Sequence, residues 1–254
     1  MSGRLFQSTF GPTLRFSALF AFLIVGVSMS PLHARTFRVE IEIRDEGGGE
    51  ISKHLVLFKD DIVYDFALSE PHDVTVIDGE RVTLISRREQ IKASVPNDVL
   101  VEATARAKAD AETRGQSESL GLAAEPQRNG ATYTLAFDHG GGRYGYEVST
   151  TKPLHAEQAS RFAEFSDWMC RINLVRRMGP LPPFARMKLS RVIAGDGVVP
   201  TEVALDCTSN QVKRTFISKY IFSEELSQAD DQRISEIAGW MQRYRDVPFE
   251  EYPR

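Results

Sequence analysis

The sequence has few of the residues on which most recognisable protein chemistry depends. Only 2 of its 254 residues are cysteines and only 5 are histidines. No histidine has a second histidine or a cysteine at metal-ligand spacing, so we expect no metal centre. The motifs G-x-S-x-G, H-E-x-x-H, C-x-x-C and the P-loop are absent. The sequence therefore predicts no catalytic residues, no bound cofactor and a protein that is not an enzyme, with an enzyme that carries no recognisable motif as the alternative.

The start of the chain lacks acidic residues, and the rest of it lacks long apolar runs. Arg4 and Arg15 are the only charged residues before Arg35, and they precede a short apolar segment, residues 16–29. About 14 apolar residues are too few for a membrane-spanning helix, which needs about 20, but they are typical of a secretory signal peptide. We expect residues 1–34 to be a signal peptide cleaved near Ala34, with an uncleaved anchor as the alternative. The rest of the chain is then periplasmic or extracellular.

The sequence has slightly fewer basic residues than acidic ones. Removal of residues 1–34 takes 2 of the 31 basic residues and none of the 35 acidic ones, which leaves 29 − 35 = −6. This balance argues against nucleic acid as a partner. Residues 35–254 are enough for one domain with an ordinary core. The polar, glycine-containing composition near residues 106–130 predicts a mobile excursion from that domain.

Alternation of apolar and polar residues is the main structural signal. Residues 36–45 alternate strictly, which is the pattern of a half-buried strand, and similar short runs between turns recur along the chain. They include residues 184–193, "FARMKLSRVI". Helical spacing follows Asn97, Pro153 and Ser227, and Asp230 is placed to complete a capping box at the last helix. We predict an α+β fold with a curved, half-barrel-like antiparallel sheet of about eleven strands and about three helices.

Two resemblances add to this prediction. The order of elements across residues 36–245, a meander, an inserted helix, more strands and a final helix behind a signal segment, resembles the half-barrel of the outer-membrane lipoprotein carriers (LolA/LolB-like). The stretches "VYDFALSEPHDVTVID", "LPPFARMKL" and "VPFEEY" are similar to those of planctomycetal secreted proteins with no assigned function. The first resemblance implies a hydrophobic ligand. The second implies export and a shared fold, and no activity.

The residues between Val63 and Val95 allow two functions. In the first, apolar side chains line a concave surface that binds a lipid, an acyl chain or a lipoprotein, and the lining residues are Val74, Val76, Val82 and Leu84. In the second, the same side chains pack against the aromatic stripe of the helix after Pro153. The protein is then a secreted structural or protein-interaction domain with no small ligand. The two differ in whether helices fill the concave surface.

The two cysteines and a group of arginines each allow two interpretations. Cys170 and Cys207 both lie in the exported part of the chain, where a disulfide can form, and two separate buried thiols are the alternative. Arg171, Arg176 and Arg186 belong to a basic group that either faces anionic lipid or polysaccharide, or simply forms a solvated surface.

Export is the first testable prediction. N-terminal sequencing of the protein isolated from its native host should begin near Arg35, because the apolar segment and the small residue Ala34 fit signal cleavage. Intact cytosolic protein that begins at Met1 would contradict it.

Overall fold

The computed structural model describes residues 36–177, 183–209 and 212–253. The first half of the chain forms six strands that pair in sequence order, each antiparallel to the next. They are β1 (Phe37–Asp45), β2 (Glu50–Lys59), β3 (Ile62–Ala67), β4 (Val74–Ile77), β5 (Arg81–Ser86) and β6 (Ile91–Pro96). Short connections join them, as the turn residues between the alternating runs predict.

The second half of the chain continues the same sheet. Its strands are β7 (Gln127–Asn129), β8 (Thr132–His139), β9 (Gly142–Thr151), β10 (Val199–Ser209), β11 (Val212–Ser223) and β12 (Arg245–Asp246). β11 pairs antiparallel with β1, so the strand order is β12-β6-β5-β4-β3-β2-β1-β11-β10-β9-β8-β7. β12 pairs parallel with β6. The sheet is open, with β12 and β7 at its edges. The predicted α+β class and mainly antiparallel sheet are confirmed.

Within the described ranges, four helices accompany the sheet: α1 (Asn97–Thr113), α2 (Ala156–Arg176), α3 (Pro183–Gly195) and α4 (Gln228–Arg243). The strand prediction for residues 184–193 is wrong, because these residues belong to α3. Apolar and polar residues alternate there, but Ala185, Leu189 and Ile193 also lie on one helical face. That face is buried against β8, β9 and β10. The other three helices are confirmed.

The two faces of the sheet carry different helices. Val56 and Phe58 of β2 share a hydrophobic cluster with α1 and α2, whereas Leu55 and Leu57 share one with α4. Successive strand residues point to opposite faces. α2 and α4 therefore lie on opposite sides of the sheet. The pairing of β1, β11 and β10 shows that the hydrophobic cluster under α3 is on the same side of the sheet as α2. We call this side the α2 face, and it carries α1, α2 and α3.

Aromatic rings hold α2 on the sheet. Phe37 and Phe58 stack with their centroids 4.0 Å apart, and Phe165 of α2 meets Phe58 edge-on at 6.1 Å. Phe162 of α2 reaches Tyr220 of β11 at 5.4 Å. These contacts tie α2 to both halves of the sheet.

A capping box and a buried ion pair hold α4. The Ser227 hydroxyl accepts from the Asp230 backbone N–H, and the Asp230 carboxylate accepts from the Ser227 backbone N–H at 2.9 Å, as the sequence predicts. Asp230 is fully buried and also accepts from Nη1 of Arg38 at 2.9 Å. Burial alone would raise the pKa of Asp230, but the hydrogen bonds from Ser227 and the charge of Arg38 outweigh it and lower this pKa.

The region predicted as a mobile excursion has regular structure at both ends. α1 extends to Thr113, turns follow, and β7 begins at Gln127. Between them Gly121 is buried at a φ of 69°, and a Cβ there would lie 2.9 Å from the Cβ of Ala185. Only glycine fits this approach to α3. The mobility of the segment stays a prediction.

Removal of the Asp230 carboxylate should destabilise the fold strongly. Asp230→Ala leaves Arg38 without this buried partner and removes the carboxylate that accepts from the Ser227 backbone N–H, so we expect the free energy of unfolding to fall by about 2 to 4 kcal/mol. The control is Asp231→Ala, which removes an exposed ion pair to Lys59 and should cost less than about 1 kcal/mol. Urea denaturation of both variants measures this. Equal effects would show that the cap and buried pair contribute nothing special.

Candidate functional site

A cleft of about 630 Å³ lies between α2 and the sheet. Its floor is formed by strands β1 to β5 on the α2 face, and its wall is the inner side of α2. Tyr220 and Arg186 lie at one end, and Asp73, Arg176 and Pro253 also line it. Apolar residues make up most of the wall and part of the floor: Ile41, Ile43, Leu84, Phe162, Phe165, Met169 and Ile172. The volume is in the range of small-molecule sites.

The cleft crosses the sheet rather than following a strand. The strands whose residues line it, from β11 to β5, are consecutive neighbours in the sheet. Five spacings of about 4.8 Å give a length of about 24 Å. A long, thin ligand fits such a shape better than a compact one.

Polar side chains interrupt the apolar floor. His54 of β2 and Asp65 of β3 lie on the α2 face, and Nδ1 of His54 is 2.8 Å from Oδ1 of Asp65. Asp65 is only 3% exposed. Because a carboxylate can only accept, Nδ1 carries the proton. Burial lowers the pKa of His54, but the hydrogen bond to Asp65 and its charge outweigh burial and raise it.

Asp73 brings a carboxyl group to the cleft beside β4. The Tyr252 hydroxyl donates to its Oδ2 at 3.0 Å, whereas Oδ1 is buried with no hydrogen-bond partner in the part of the chain that the structure describes. Burial raises the pKa of Asp73. The pKa of Tyr252 is raised by burial and by the charge of Asp73.

Arg186 of α3 brings a cation to the cleft beside β11. Its Nη2 donates to the Tyr220 hydroxyl across 3.4 Å, which is a weak hydrogen bond. Its Nη1 is buried and has no hydrogen-bond partner within the described residues. Arg186 thus places a cation at the β11 end of the cleft. The acidic residues toward β4 and β5 are instead accompanied by cations: Asp73 and Glu89 lie with Arg88 and Arg176.

The four residues predicted to line one concave surface lie on two faces of the sheet. Val74 and Val76 belong to the cluster under α4, and Val82 and Leu84 belong to the cluster under α2. The prediction of a shared surface is wrong. Ile77 pairs with Val82 across the hairpin, so these two side chains point to the same face of the sheet. Val76 and Val74 are one and three residues before Ile77 in the strand, and their side chains therefore point to the opposite face. Of the four, Leu84 lines the cleft.

The two cysteines are free thiols in the structure. The structure therefore has two separate thiols, the alternative to a disulfide. Both cysteine residues are partly exposed to solvent. Cys170 lines the cleft, and burial raises its pKa to about 12. Burial also raises the pKa of Cys207. Neither thiol therefore has the lowered pKa of a reactive cysteine.

Sequence reasoning missed the polar floor of the cleft. In β2, His54 is an even number of residues from Val56 and Phe58, so its side chain points to the same face of the sheet. In β3, Asp65 shares a face with Val63 for the same reason. Polar residues in an apolar register are the signal that would have found them. In the sequence, Asp73 stands in a stretch of turn-forming residues, "SEPHD", and Arg186 is one of several basic residues, so neither is marked as a site by its local pattern.

Two other kinds of site are absent from the described residues. Across residues 36–177, 183–209 and 212–253 there is no group of three or more histidine, cysteine or acidic side chains arranged to hold a metal. None of the helices within these ranges is long and apolar enough to cross a membrane.

Comparison with known proteins assigns no family. No family model matches the chain, and no curated protein matches it. An uncharacterized conserved protein from Thermus thermophilus is similar with a TM-score of 0.38 and 9% identity over 85% of this chain and 91% of that one. PNGF-II is similar with a TM-score of 0.35 and 9% identity over 85% of this chain and 31% of PNGF-II, about a third of its length. Both are distant structural similarities.

The His54–Asp65 pair should give the protein a measurable pH dependence. We expect the His54 imidazole to titrate above its ordinary value of 6.5, so the pair stabilises the fold below that pH and its contribution is lost as pH rises through the raised pKa. In Asp65→Asn the pKa of His54 should fall, because burial then acts without the charge. NMR titration of the imidazole measures this, with Asp61→Asn as the exposed control. An unchanged His54 titration in Asp65→Asn would contradict the assignment.

Proposed function

We propose that the protein is an exported, non-enzymatic carrier or binding module that holds a hydrophobic ligand such as a lipid, an acyl chain or the acyl part of a lipoprotein in the cleft under α2. The observation that carries the proposal is the cleft itself, a space of about 630 Å³ with an apolar wall on the main face of the sheet. The order of elements resembles that of the lipoprotein carriers, which supports the same ligand class.

The position of the helices supports a cleft that is only partly filled. Phe162 and Phe165 pack onto the sheet at one side of the cleft, where Phe37, Phe58 and Tyr220 receive them. Met169 and Asn173, farther along α2, line the open part. α4 packs on the opposite face and occupies none of this space. Room therefore remains for a ligand under the C-terminal half of α2.

Burial of an acyl chain can supply the binding energy. About 800 Å² of apolar surface, counted on the chain and the cleft together, contributes about 20 kcal/mol at about 25 cal/mol per Å². Association and ordering remove about 10 kcal/mol of this. The remainder of roughly 10 kcal/mol corresponds to a dissociation constant of tens of nanomolar.

Filling the cleft should weaken ligand binding without unfolding the protein. Ala67 is partly exposed and lines the floor beside His54, so Ala67→Trp places an indole in the ligand's path. We expect at least a tenfold loss of affinity for a fluorescent fatty acid. Leu68→Trp is the matched control, because Leu68 is 42% exposed and lines a groove with α4 instead. Circular dichroism and thermal unfolding verify that both variants fold.

The wild type provides the direct test. Protein purified without detergent should carry lipid in native mass spectrometry or bind the fatty acid saturably. No co-purifying lipid and no saturable binding below about 100 micromolar would contradict the carrier function. The secreted structural or protein-interaction domain would then be the better account.

A further inference from the structure

We propose that Arg186 binds the anionic head of the ligand, so that the cleft takes an amphiphile whose head is a carboxylate or a phosphate and whose apolar chain lies across the sheet. This inference rests on the proposed function, because it names the class of ligand for the same cleft. The structure supports it through the pairing of charges on α3, through the charges around Cys170, and through the compensation of other charges in the cleft.

The cations of α3 differ in their partners. Lys188 donates to two backbone oxygens, of Leu122 and Ala124, and lies 2.8 Å from Oε1 of Glu125. Arg191 donates through Nε to Asp167 at 2.8 Å. Arg186 lines the cleft, and its buried Nη1 has no hydrogen-bond partner among the described residues. A partly buried guanidinium with unused donors favours an anion that accepts from it.

The surroundings of Arg186 are electropositive. The charges that act most on the neighbouring Cys170 thiol are those of Arg186, Asp167, Arg171 and Arg191. Three of these are guanidinium groups, and the one carboxylate, Asp167, already accepts hydrogen bonds from Arg191. The charge around Cys170 is therefore net positive, and Arg186 is the member of this group that lines the cleft, where it can attract an anionic head.

The other cations of the cleft lie near its acidic residues: Arg88 is 3.7 Å from Glu89, and the charge of Arg176 acts on Asp73. The imidazole of His54 is compensated by Asp65 at 2.8 Å. Asp73 and Glu89 are acidic and lie toward β4 and β5, where Asp73 repels an anion when it is ionised. The head is thus placed beside β11, and the chain runs from there past Ile41 and Ile43 toward Leu84. This path covers the apolar part of the floor.

A matched set of single-chain ligands tests the head. We would measure displacement of a fluorescent acyl probe by palmitate, hexadecyl phosphate, hexadecanol and hexadecyltrimethylammonium. Palmitate or hexadecyl phosphate should bind about tenfold to a hundredfold more tightly than hexadecanol, because a charge-assisted hydrogen bond is available only to the anions. Comparison of the two anions distinguishes a carboxylate ligand from a phosphate ligand.

Substitution of the arginine separates this inference from the carrier function. Arg186→Gln should lower the affinity for the two anions at least tenfold and the affinity for hexadecanol by much less, because only the anions lose a charge-assisted hydrogen bond. Lys188→Gln, which removes the same charge two residues away on α3, should preserve the preference. Equal affinity for palmitate, hexadecyl phosphate and hexadecanol in the wild type, or tighter binding of the ammonium compound, would overturn the assignment of Arg186 while the carrier function stands. An unchanged preference in Arg186→Gln would overturn it as well. If none of the four ligands binds, the carrier function itself is wrong.

Discussion

The aromatic packing of α2 against the sheet is the constraint on which the rest of the site depends. Phe165 meets Phe58 of β2, and Phe162 meets Tyr220 and Phe222 of β11. β1 lies between β2 and β11 in the sheet. One helix therefore crosses the junction between the two antiparallel runs. Edge-on aromatic contacts of this kind contribute about 0.5 to 1.5 kcal/mol each beyond the area they bury. The helix is fixed at its aromatic turns, and the space under its next turns becomes the cleft.

The cleft stays open because α2 and α4 pack on opposite faces of the sheet. α4 carries its own apolar residues, Ile237 and Trp240, to the opposite face and is held there by the Asp230 cap and its ion pair with Arg38. Had both α2 and α4 covered the same face, they would have competed for the floor formed by β1 to β5. The Asp230 network thus acts on the site indirectly, because it helps to hold α4 on the face opposite the cleft.

Charge inside the cleft follows from burial and compensation. His54 and Asp65 form a compensated pair in the middle of the floor, whereas Asp73 and Arg186 each have a buried polar atom without a partner in the described residues. Unpaired buried polar atoms are unfavourable in an empty site. A ligand that supplies an acceptor to Arg186 would relieve one of them, and this links the electrostatics of the cleft to its choice of ligand.

The sequence by itself determined the class of the fold and most of its elements. Strict alternation in residues 36–45 and helical spacing after Pro153 each fit one period only, and Ser227 with Asp230 marks a helix start by local chemistry. Tertiary structure decided the rest. Residues 184–193 fit both periods, and burial of Ala185, Leu189 and Ile193 on β8 to β10 selected the helix. That choice also turned Arg186 into the cleft. The strands that hold Val74, Val76, Val82 and Leu84 are apolar on both faces, so their composition could not say which side chains share a surface. Only the pairing register across each hairpin, which is a long-range property of the backbone, could decide this.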